Sequence, residues 1–161
     1  MTIALIPGSF DPFHNGHLEV VERAANVFDE IVVAALRNPQ KSDACFNLEE
    51  RREMIAESLA HLEHVRIVSV STLLVNVAAD VGATAIVKGL RAVSDFESEM
   101  QMAQMNRSLS GIETVFIPTS STHSFIASRL LREVARYGGD VSHFVPAPVE
   151  KRLKEKFAGQ Q

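Results

Sequence analysis

Short apolar runs alternate with amphipathic helical patterns along the chain, and this alternation is the strongest constraint on its fold. The runs that we interpret as strands are 3–6, 31–36, 65–68, 85–87 and 114–117. The helical patterns begin near residue 15 and near residue 47, and then cover 73–81, 94–108, 128–137 and 148–157. Strands that alternate with helices favour βαβ units, and therefore a parallel sheet.

The length and the order of these elements predict the fold class. A chain of 161 residues suggests one domain and can bury a sizeable core. We therefore predict an α/β fold, a Rossmann-like open sheet of about five parallel strands with helices on both faces. The prediction is a single domain over 1–161 that ends in a C-terminal helix at about 148–157.

Composition excludes several classes of protein. The net charge is −4, so the chain has no basic footprint for nucleic acid, and any anionic ligand must be held by a local group of cations. Cys45 is the only cysteine, which excludes an internal disulfide and gives no argument for export. No apolar stretch approaches the length of a membrane span. We expect a cytoplasmic protein that binds neither nucleic acid nor membranes.

The loop between the first strand and the first helix is rich in glycine, proline and histidine. It runs from Pro7 to His17 and reads Pro-Gly-Ser-Phe-Asp-Pro-Phe-His-Asn-Gly-His. Such a loop lies at the carboxyl end of a parallel strand, where open sheets bind ligands. Gly8 and Gly16 allow close approach of a ligand, and the helix N-terminus favours an anion. The alternative is an ordinary strand-to-helix turn that carries two surface histidines.

Further charged groups follow the other strands. Lys41 follows the second strand, although a lone loop lysine is more often simply solvated. Lys88 and Arg91 flank Gly89 and Leu90 after the fourth strand, where they could grip phosphates or else pair with the acidic residues 95, 97 and 99. The sequence has no Cys/His metal cluster, nucleophile elbow or Walker loop. These features fit direct transfer between two bound anions.

Several motifs carry a resemblance to a known family. Residues 14–17 match the His-x-Gly-His signature of the nucleotidylyltransferase superfamily, and with the lead-in 7–12 the chain resembles the bacterial phosphopantetheine adenylyltransferases. Residues 88–102 extend the match. The segment 126–132 is similar to the second superfamily motif, Ile-Ser-Ser-Ser/Thr-x-x-Arg/Lys, from which Ala127 and Arg129 depart. The resemblance extends to about residue 148.

The resemblance implies an enzyme that transfers the adenylyl group of ATP reversibly to 4′-phosphopantetheine. The products would be dephospho-coenzyme A and pyrophosphate, formed by in-line attack without a covalent intermediate. It implies Mg²⁺ carried mainly by the ATP phosphates, with no metal ligand from protein side chains, and a homo-oligomer, a hexamer. Two alternatives remain open, another nucleotidylyltransferase that acts on an acceptor such as nicotinate mononucleotide, and a nucleotide sensor without catalysis.

The resemblance also assigns roles to individual residues. His17 would stabilise the transition state, with Lys41 and Arg91 as further catalytic residues. The positions implied for ATP are Ser9, Phe10, His17, Gly89, Leu90, Arg91, Glu99, His123, Ser124, Phe125, Ile126, Ala127, Ser128 and Arg129. The positions implied for the acceptor substrate are Ser9, Lys41, Leu74 and Lys88.

Two helices carry patterns beyond these motifs. The helix over 94–108 has one apolar stripe at 96, 100 and 103 and a second at 102, 105 and 109, which suggests burial on two sides and hence an oligomer. The helix after the fifth strand begins with Ser128, a natural N-cap, and places arginines at 129, 132 and 136 on one face. We expect the apolar residues at 130, 131, 134 and 135 to be buried. Arg129 could face the ATP phosphates, or could pair with Glu133.

Overall fold

The structure, a computed structural model, describes residues 1–37 and 43–160. The strands of this part of the chain are β1 (Ile3–Gly8), β2 (Glu30–Leu36), β3 (Val65–Val70), β4 (Ala85–Leu90) and β5 (Glu113–Pro118). The helices are α1 (Asn15–Ala25), α2 (Leu48–Ser58), α3 (Leu74–Val81), α4 (Val93–Ser110), α5 (Ser128–Arg136) and α6 (Ala147–Phe157).

The strands form one parallel sheet in the order β3-β2-β1-β4-β5. The chain builds outward from β1 through β2 to β3, and then returns to β4 on the other side of β1. The direction of winding therefore reverses between β1 and β4, and ligands of open α/β sheets bind at such a switch point. The predicted α/β class, with helices on both faces of a five-stranded parallel sheet, is confirmed.

The core explains why the strands are apolar without interruption. Along β1, Ala4 and Ile6 face a cluster formed with α1, α2, α5 and α6, whereas Ile3 and Leu5 face a smaller cluster formed with α3. β2 alternates between the two clusters in the same way. A strand whose successive side chains point into two cores must be apolar at every position.

The helix boundaries confirm the predicted helix start near residue 47 and correct the predicted N-cap of α5. Asn47 caps α2, accepting from the Glu50 backbone N–H at 2.8 Å while the Glu50 side chain accepts from the Asn47 N–H. The prediction that Ser128 is the N-cap of α5 is wrong. Ala127 holds that position, and the Ser128 hydroxyl instead donates to the Pro12 carbonyl oxygen at 2.9 Å.

The predicted burial of α5 is only half right. Leu131 and Ala135 are buried, but Leu130 and Val134 are exposed, because the helix packs on the core along a single narrow stripe. The second apolar stripe of α4 is also uncovered in the single chain, since Met102 and Met105 are each 57% exposed. Within the described ranges, no helix has both the length and the apolar character needed to cross a membrane.

Candidate functional site

Two histidines cap the first helix reciprocally. His14 is the N-cap of α1, and its Nδ1 accepts hydrogen bonds from the backbone N–H groups of Gly16 at 3.0 Å and His17 at 3.4 Å. In return, Nδ1 of His17 accepts from the His14 backbone N–H at 3.1 Å. The two rings stack with their centroids 3.6 Å apart. This arrangement uses imidazole nitrogens for the contacts that a capping box ordinarily makes with Ser/Thr and Glu/Gln.

The capping contacts fix the tautomer of His17. Because Nδ1 accepts a hydrogen bond it carries no proton, so a neutral imidazole must carry its proton on Nε2. Burial, the neighbouring His14 and the positive charges of Arg91 and Lys88 hold the pKa of His17 well below its ordinary value. The ring of His17 is therefore a neutral donor whose only ring N–H is at Nε2, and His17 lines the cavity described below.

The aromatic ring of Phe10 packs against the ring of His17. Phe10 has a φ of 49°, which is rare for a residue with a side chain, and its ring meets His17 edge-on with the centroids 4.9 Å apart. A Cβ atom at position 8 would lie 2.7 Å from the Phe10 ring, so only glycine fits there. Gly8 thus leaves room for the Phe10 ring to pack against His17.

The side chain of Asp11 anchors the chain segment that precedes α2. Asp11 is buried, and its two carboxylate oxygens accept from the backbone N–H groups of Cys45 and Phe46, each at 2.9 Å. The Asp11 carbonyl oxygen accepts from Arg132 of α5. One residue of the β1–α1 loop therefore links α5 to the segment that leads into α2.

A buried guanidinium holds the neighbouring chain ends together. Arg51 of α2 is 5% exposed and donates to the carbonyl oxygens of Ser9 at 2.7 Å, Leu36 at 3.2 Å and Asn47 at 3.3 Å. These oxygens belong to the β1–α1 loop, the end of β2 and the start of α2. Burial lowers the pKa of Arg51, and the carboxylate of Asp11 acts in the opposite direction.

The end of β4 carries two cations that lie in ion pairs. Lys88 Nζ lies 3.3 Å from Glu99 of α4, and Arg91 Nε lies 3.2 Å from Asp95. Arg91 also donates through Nη1 to the Ile126 carbonyl oxygen at 2.8 Å. These pairs are the alternative that the sequence left open, yet all four charged side chains line the same cavity. The ion pairs thus hold the cations in place at its wall.

The cavity of about 510 Å³ lies at the switch point of the sheet, between β1, α1, β4 and α5. Its described wall carries the cations Lys88, Arg91, Arg129 and Arg132 against the carboxylates Asp95 and Glu99. The local charge is therefore positive, although the net charge of the chain is −4. As the sequence predicted, a local group of cations offers a place for an anion.

The cavity brings together more than half of the residues predicted for the site. The described residues among them that line it are Phe10, His17, Lys88, Gly89, Arg91, Glu99, Ala127, Ser128 and Arg129. A Cβ atom at position 89 would lie 2.7 Å from Cγ2 of Val20, so Gly89 permits the close contact of β4 with α1. Lys41 lies outside the described residues.

The other described residues that were predicted for the site do not line the cavity. Ser9 is held by Arg51, and Ile126 is buried, with its carbonyl oxygen accepting from Arg91. Phe125 is 62% exposed and meets Phe144 edge-on. The remaining residues that do not line the cavity are Leu90, His123, Ser124 and Leu74, the last of which packs against the cluster beside α3.

The structure adds to the cavity wall four polar residues to which the sequence analysis gave no binding role. They are His14, Asp95, Thr119 and Arg132. Asp95 was considered only as an ion-pair partner of the nearby cations, and the structure shows it paired with Arg91 at the cavity wall. Thr119 offered no local signal, since its contact with the Leu90 carbonyl oxygen depends on the pairing of β5 with β4.

Comparisons with known proteins agree with this geometry. A family model described as cytidylyltransferase-like matches residues 5–134. The chain is similar to a phosphopantetheine adenylyltransferase of Gloeobacter violaceus, with 51% identity over 158 residues that cover 98% of each chain.

Solved structures share the fold at much lower identity. A bifunctional NMN adenylyltransferase/ADP ribose pyrophosphatase from Francisella tularensis, complexed with AMP and a manganese ion, aligns with a TM-score of 0.72 and 17% identity. A second structure of that bifunctional protein aligns with a TM-score of 0.76 and 14% identity. In both cases 99% of this chain is covered, and it spans 50% of the length of the other chain. These structures show a shared fold.

Proposed function

The chain belongs to the cytidylyltransferase-like family and, within it, to the phosphopantetheine adenylyltransferases, and from this we propose that it transfers the adenylyl group of ATP to 4′-phosphopantetheine. The products are dephospho-coenzyme A and pyrophosphate, and the reaction is reversible. The observation that carries the proposed chemistry is the fixed tautomer of His17, a neutral N–H donor at the wall of a cationic cavity.

The attacking group in this proposal needs no base from the protein. A phosphate monoester loses its second proton with a pKa near ~6, so the phosphate of the acceptor is largely dianionic at neutral pH. It attacks the α-phosphorus of ATP in line, the new P–O bond forms, and the bond to the β-phosphate oxygen breaks to release pyrophosphate. No covalent intermediate with the enzyme is required.

The protein contributes position and charge stabilisation. His17 donates from Nε2 to an α-phosphate oxygen, whose negative charge is stabilised as the transition state forms. A neutral imidazole suits this role because it keeps its single proton in the hydrogen bond. Lys88, Arg91 and Arg129 bind the remaining phosphate oxygens, and Asp95 with Ile126 holds Arg91 in the orientation that the transfer needs.

We assign the acceptor to the side of the cavity that faces β2 and α2. Lys41 binds the acceptor phosphate in this assignment, and Ser9, Leu74 and Lys88 complete the acceptor site. Support comes from Arg51, which donates to the carbonyl oxygens of both Ser9 and Leu36 and so joins the end of β2 to the β1–α1 loop.

The residues present fit a divalent cation that arrives with ATP. The described residues contain no group of three His, Cys, Asp or Glu side chains that could hold a metal ion alone. Mg²⁺ accepts one or two protein carboxylates together with substrate phosphates, and Asp95 and Glu99 are carboxylates at the cavity wall. When bound with the triphosphate, Mg²⁺ supplies neutralisation of phosphate charge.

We further propose that the chain forms a homo-oligomer, a hexamer. The exposed stripe of Met102, Met105 and Leu109 on α4 supports an interface, since single chains rarely leave such an apolar strip in water. Light scattering of the purified protein tests this proposal. The cytoplasmic location expected from the sequence stays a prediction.

Pyrophosphate release tests the proposed reaction. The purified protein should release pyrophosphate from ATP with 4′-phosphopantetheine and much more slowly with nicotinate mononucleotide; the reverse preference would contradict the proposed acceptor.

His17→Ala should lower kcat by roughly 10²–10³, as loss of an oxyanion-type donor does, while ATP affinity by calorimetry changes much less. His61→Ala, at the protein surface, is the matched control. Normal turnover by His17→Ala would refute the role of His17.

A further inference from the structure

The loop between β5 and α5 is held at the cavity by both of its ends. At its start, the Thr119 backbone N–H and hydroxyl both donate to the Leu90 carbonyl oxygen, at 2.9 and 3.1 Å. At its end, the Ile126 carbonyl oxygen accepts from Arg91. Thr119 and Ala127 both line the cavity. The position of the intervening residues, 120–125, therefore decides how this wall of the cavity is presented to a ligand.

One carboxylate of α1 holds the middle of this loop. Glu19 Oε1 accepts from the Ser120 backbone N–H at 3.0 Å, and Oε2 accepts from the Ser120 hydroxyl at 3.0 Å. Oε2 also lies 2.7 Å from Nδ1 of His123. Burial would raise the pKa of Glu19, but the hydrogen bonds from His123 and Ser120 outweigh it and lower the pKa below its usual range. Glu19 is thus an ionised anchor with three loop donors.

The anchor is directly coupled to the helix end that carries His17. Glu19 stands two residues after His17 on α1. The loop also packs closely on the first turn of this helix, since a Cβ atom at position 16 would lie 3.6 Å from the His123 carbonyl oxygen. Arg23, one turn further along α1, donates to the Pro118 carbonyl oxygen just before the loop. The side of α1 that carries Glu19 and Arg23 is therefore docked onto the loop.

We propose that Glu19 and His123 are a positioning pair, which holds the β5–α5 loop against α1 so that the ATP-binding wall is preformed beside His17. This inference rests on the proposed function. It also changes the role implied for His123, whose ring does not line the cavity. Nδ1 of His123 holds the loop in place through its contact with Glu19. It affects ATP binding only through the position of the loop backbone.

The chain contains a matched control for this pair on the same helix. Glu22 lies 2.8 Å from His61, also as a Glu–His contact, but it joins α1 to the segment after α2 and has no contact with the cavity wall. Both members are about half exposed. Substitutions at Glu22 and His61 therefore remove a similar pair without moving the β5–α5 loop.

Calorimetric ATP binding and steady-state kinetics test the pair. Glu19→Ala should weaken ATP binding at least about tenfold, because it removes the acceptor of three hydrogen bonds from the loop, while KM for 4′-phosphopantetheine stays within about twofold. Glu19→Gln, which keeps one carbonyl acceptor in nearly the same shape, should show a smaller loss. Glu22→Ala should bind ATP like the wild type. Equal losses in Glu19→Ala and Glu22→Ala would overturn the proposal.

Substitutions of His123 separate positioning from direct contact with ATP. The side-chain amide of Asn places an N–H donor near the position of Nδ1, so His123→Asn should bind ATP within about twofold of the wild type. His123→Ala should weaken ATP binding more than this but less than Glu19→Ala does, because the two contacts of Glu19 with Ser120 remain. The Glu19→Ala/His123→Ala double variant should lose no more than Glu19→Ala alone, because that change already removes the contact between the two residues. If His123→Asn is as weak as His123→Ala, the pair does not act by positioning.

The two proposals fail separately. ATP binding by calorimetry does not need the acceptor, so it measures the pair whatever acceptor the enzyme uses. A wild-type protein that binds ATP but does not turn over 4′-phosphopantetheine would refute the proposed function and leave the test of Glu19 and His123 intact.

Discussion

The buried N-cap of α1 makes the fold sensitive to acid. His14 is 2% exposed and its Nδ1 accepts two backbone hydrogen bonds, so the folded chain requires the neutral imidazole. Burial is the largest cause that lowers the pKa of His14 to about 3, with smaller effects of Arg91 and His123. In the unfolded chain the pKa returns to its ordinary value of 6.5.

The sign and size of the effect follow from these two values. Because the unfolded chain binds the proton more tightly, the free energy of unfolding falls as pH drops through 6.5, and the loss is complete near pH 3. At 1.36 kcal/mol per pKa unit the whole window corresponds to about 5 kcal/mol. Between pH 7.5 and 5.0 the contribution of His14 is about 2 kcal/mol.

Urea unfolding of the wild type and of His14→Asn measures this contribution. Asn is a good N-cap that does not titrate, although its smaller side chain loses the stacking on His17 and should destabilise the protein at pH 7.5. The fall in unfolding free energy from pH 7.5 to 5.0 should be about 2 kcal/mol smaller in His14→Asn than in the wild type. The carboxylates and His17 make a similar contribution to this fall in both proteins, so their contribution largely cancels in the comparison.

The comparison has an internal control. From pH 7.5 to 9.0 a histidine with these pKa values does not titrate in either state, so the two proteins should change by the same amount. Equal losses between pH 7.5 and 5.0 would refute the reasoning, because they would mean that the fold does not depend on a neutral His14.

Three further predictions concern the cavity wall and the acceptor. Arg129→Glu should raise KM for ATP strongly, because a carboxylate would face the triphosphate, whereas Arg129→Ser should keep activity; an unchanged KM in a folded Arg129→Glu protein would show that the side chain points away. Gly89→Ala should lower kcat and stability together, because the added Cβ would lie 2.7 Å from Val20 and push β4 from α1; wild-type thermal unfolding and turnover would contradict this. Lys41→Ala should raise KM for 4′-phosphopantetheine with ATP binding by calorimetry nearly intact, and a loss confined to ATP would reassign the loop.

The elements that the sequence predicted best are those that local pattern and the core dictate together. The strand runs are apolar on both faces because β1 and β2 contribute side chains to both hydrophobic clusters. The cap at Asn47 was predictable because its partner, Glu50, is three residues away. Each of these signals comes from residues that are close together in the sequence.

The α5 predictions failed where tertiary contacts decide. Ser128 is a good N-cap by preference, but its hydroxyl bonds to the Pro12 carbonyl oxygen, so Ala127 takes the cap position. Leu130 and Val134 follow an apolar pattern, yet both are exposed, and only Leu131 and Ala135 of this pattern are buried. Neither outcome has a signal within the helix itself.

In the candidate site, too, local motifs were predictable and long-range contacts were not. The motifs located the cavity, because strand ends of a parallel sheet meet at one edge. They did not reveal how its parts are held. His14 was noted as half of a motif, and its use as an N-cap emerges only from the geometry of the loop. Glu19 and His123 are 104 residues apart, so only the folded chain brings them into contact.

The buried Arg51 has a consequence for how the loop between β2 and α2 can change in evolution. Together with Asp11 it fixes the chain at Leu36 on one flank of this loop and at Cys45, Phe46 and Asn47 on the other. Neither anchor depends on which side chains stand between the flanks. We expect that side chains between the flanks, other than Lys41, can be replaced without displacing the end of β2 or the start of α2.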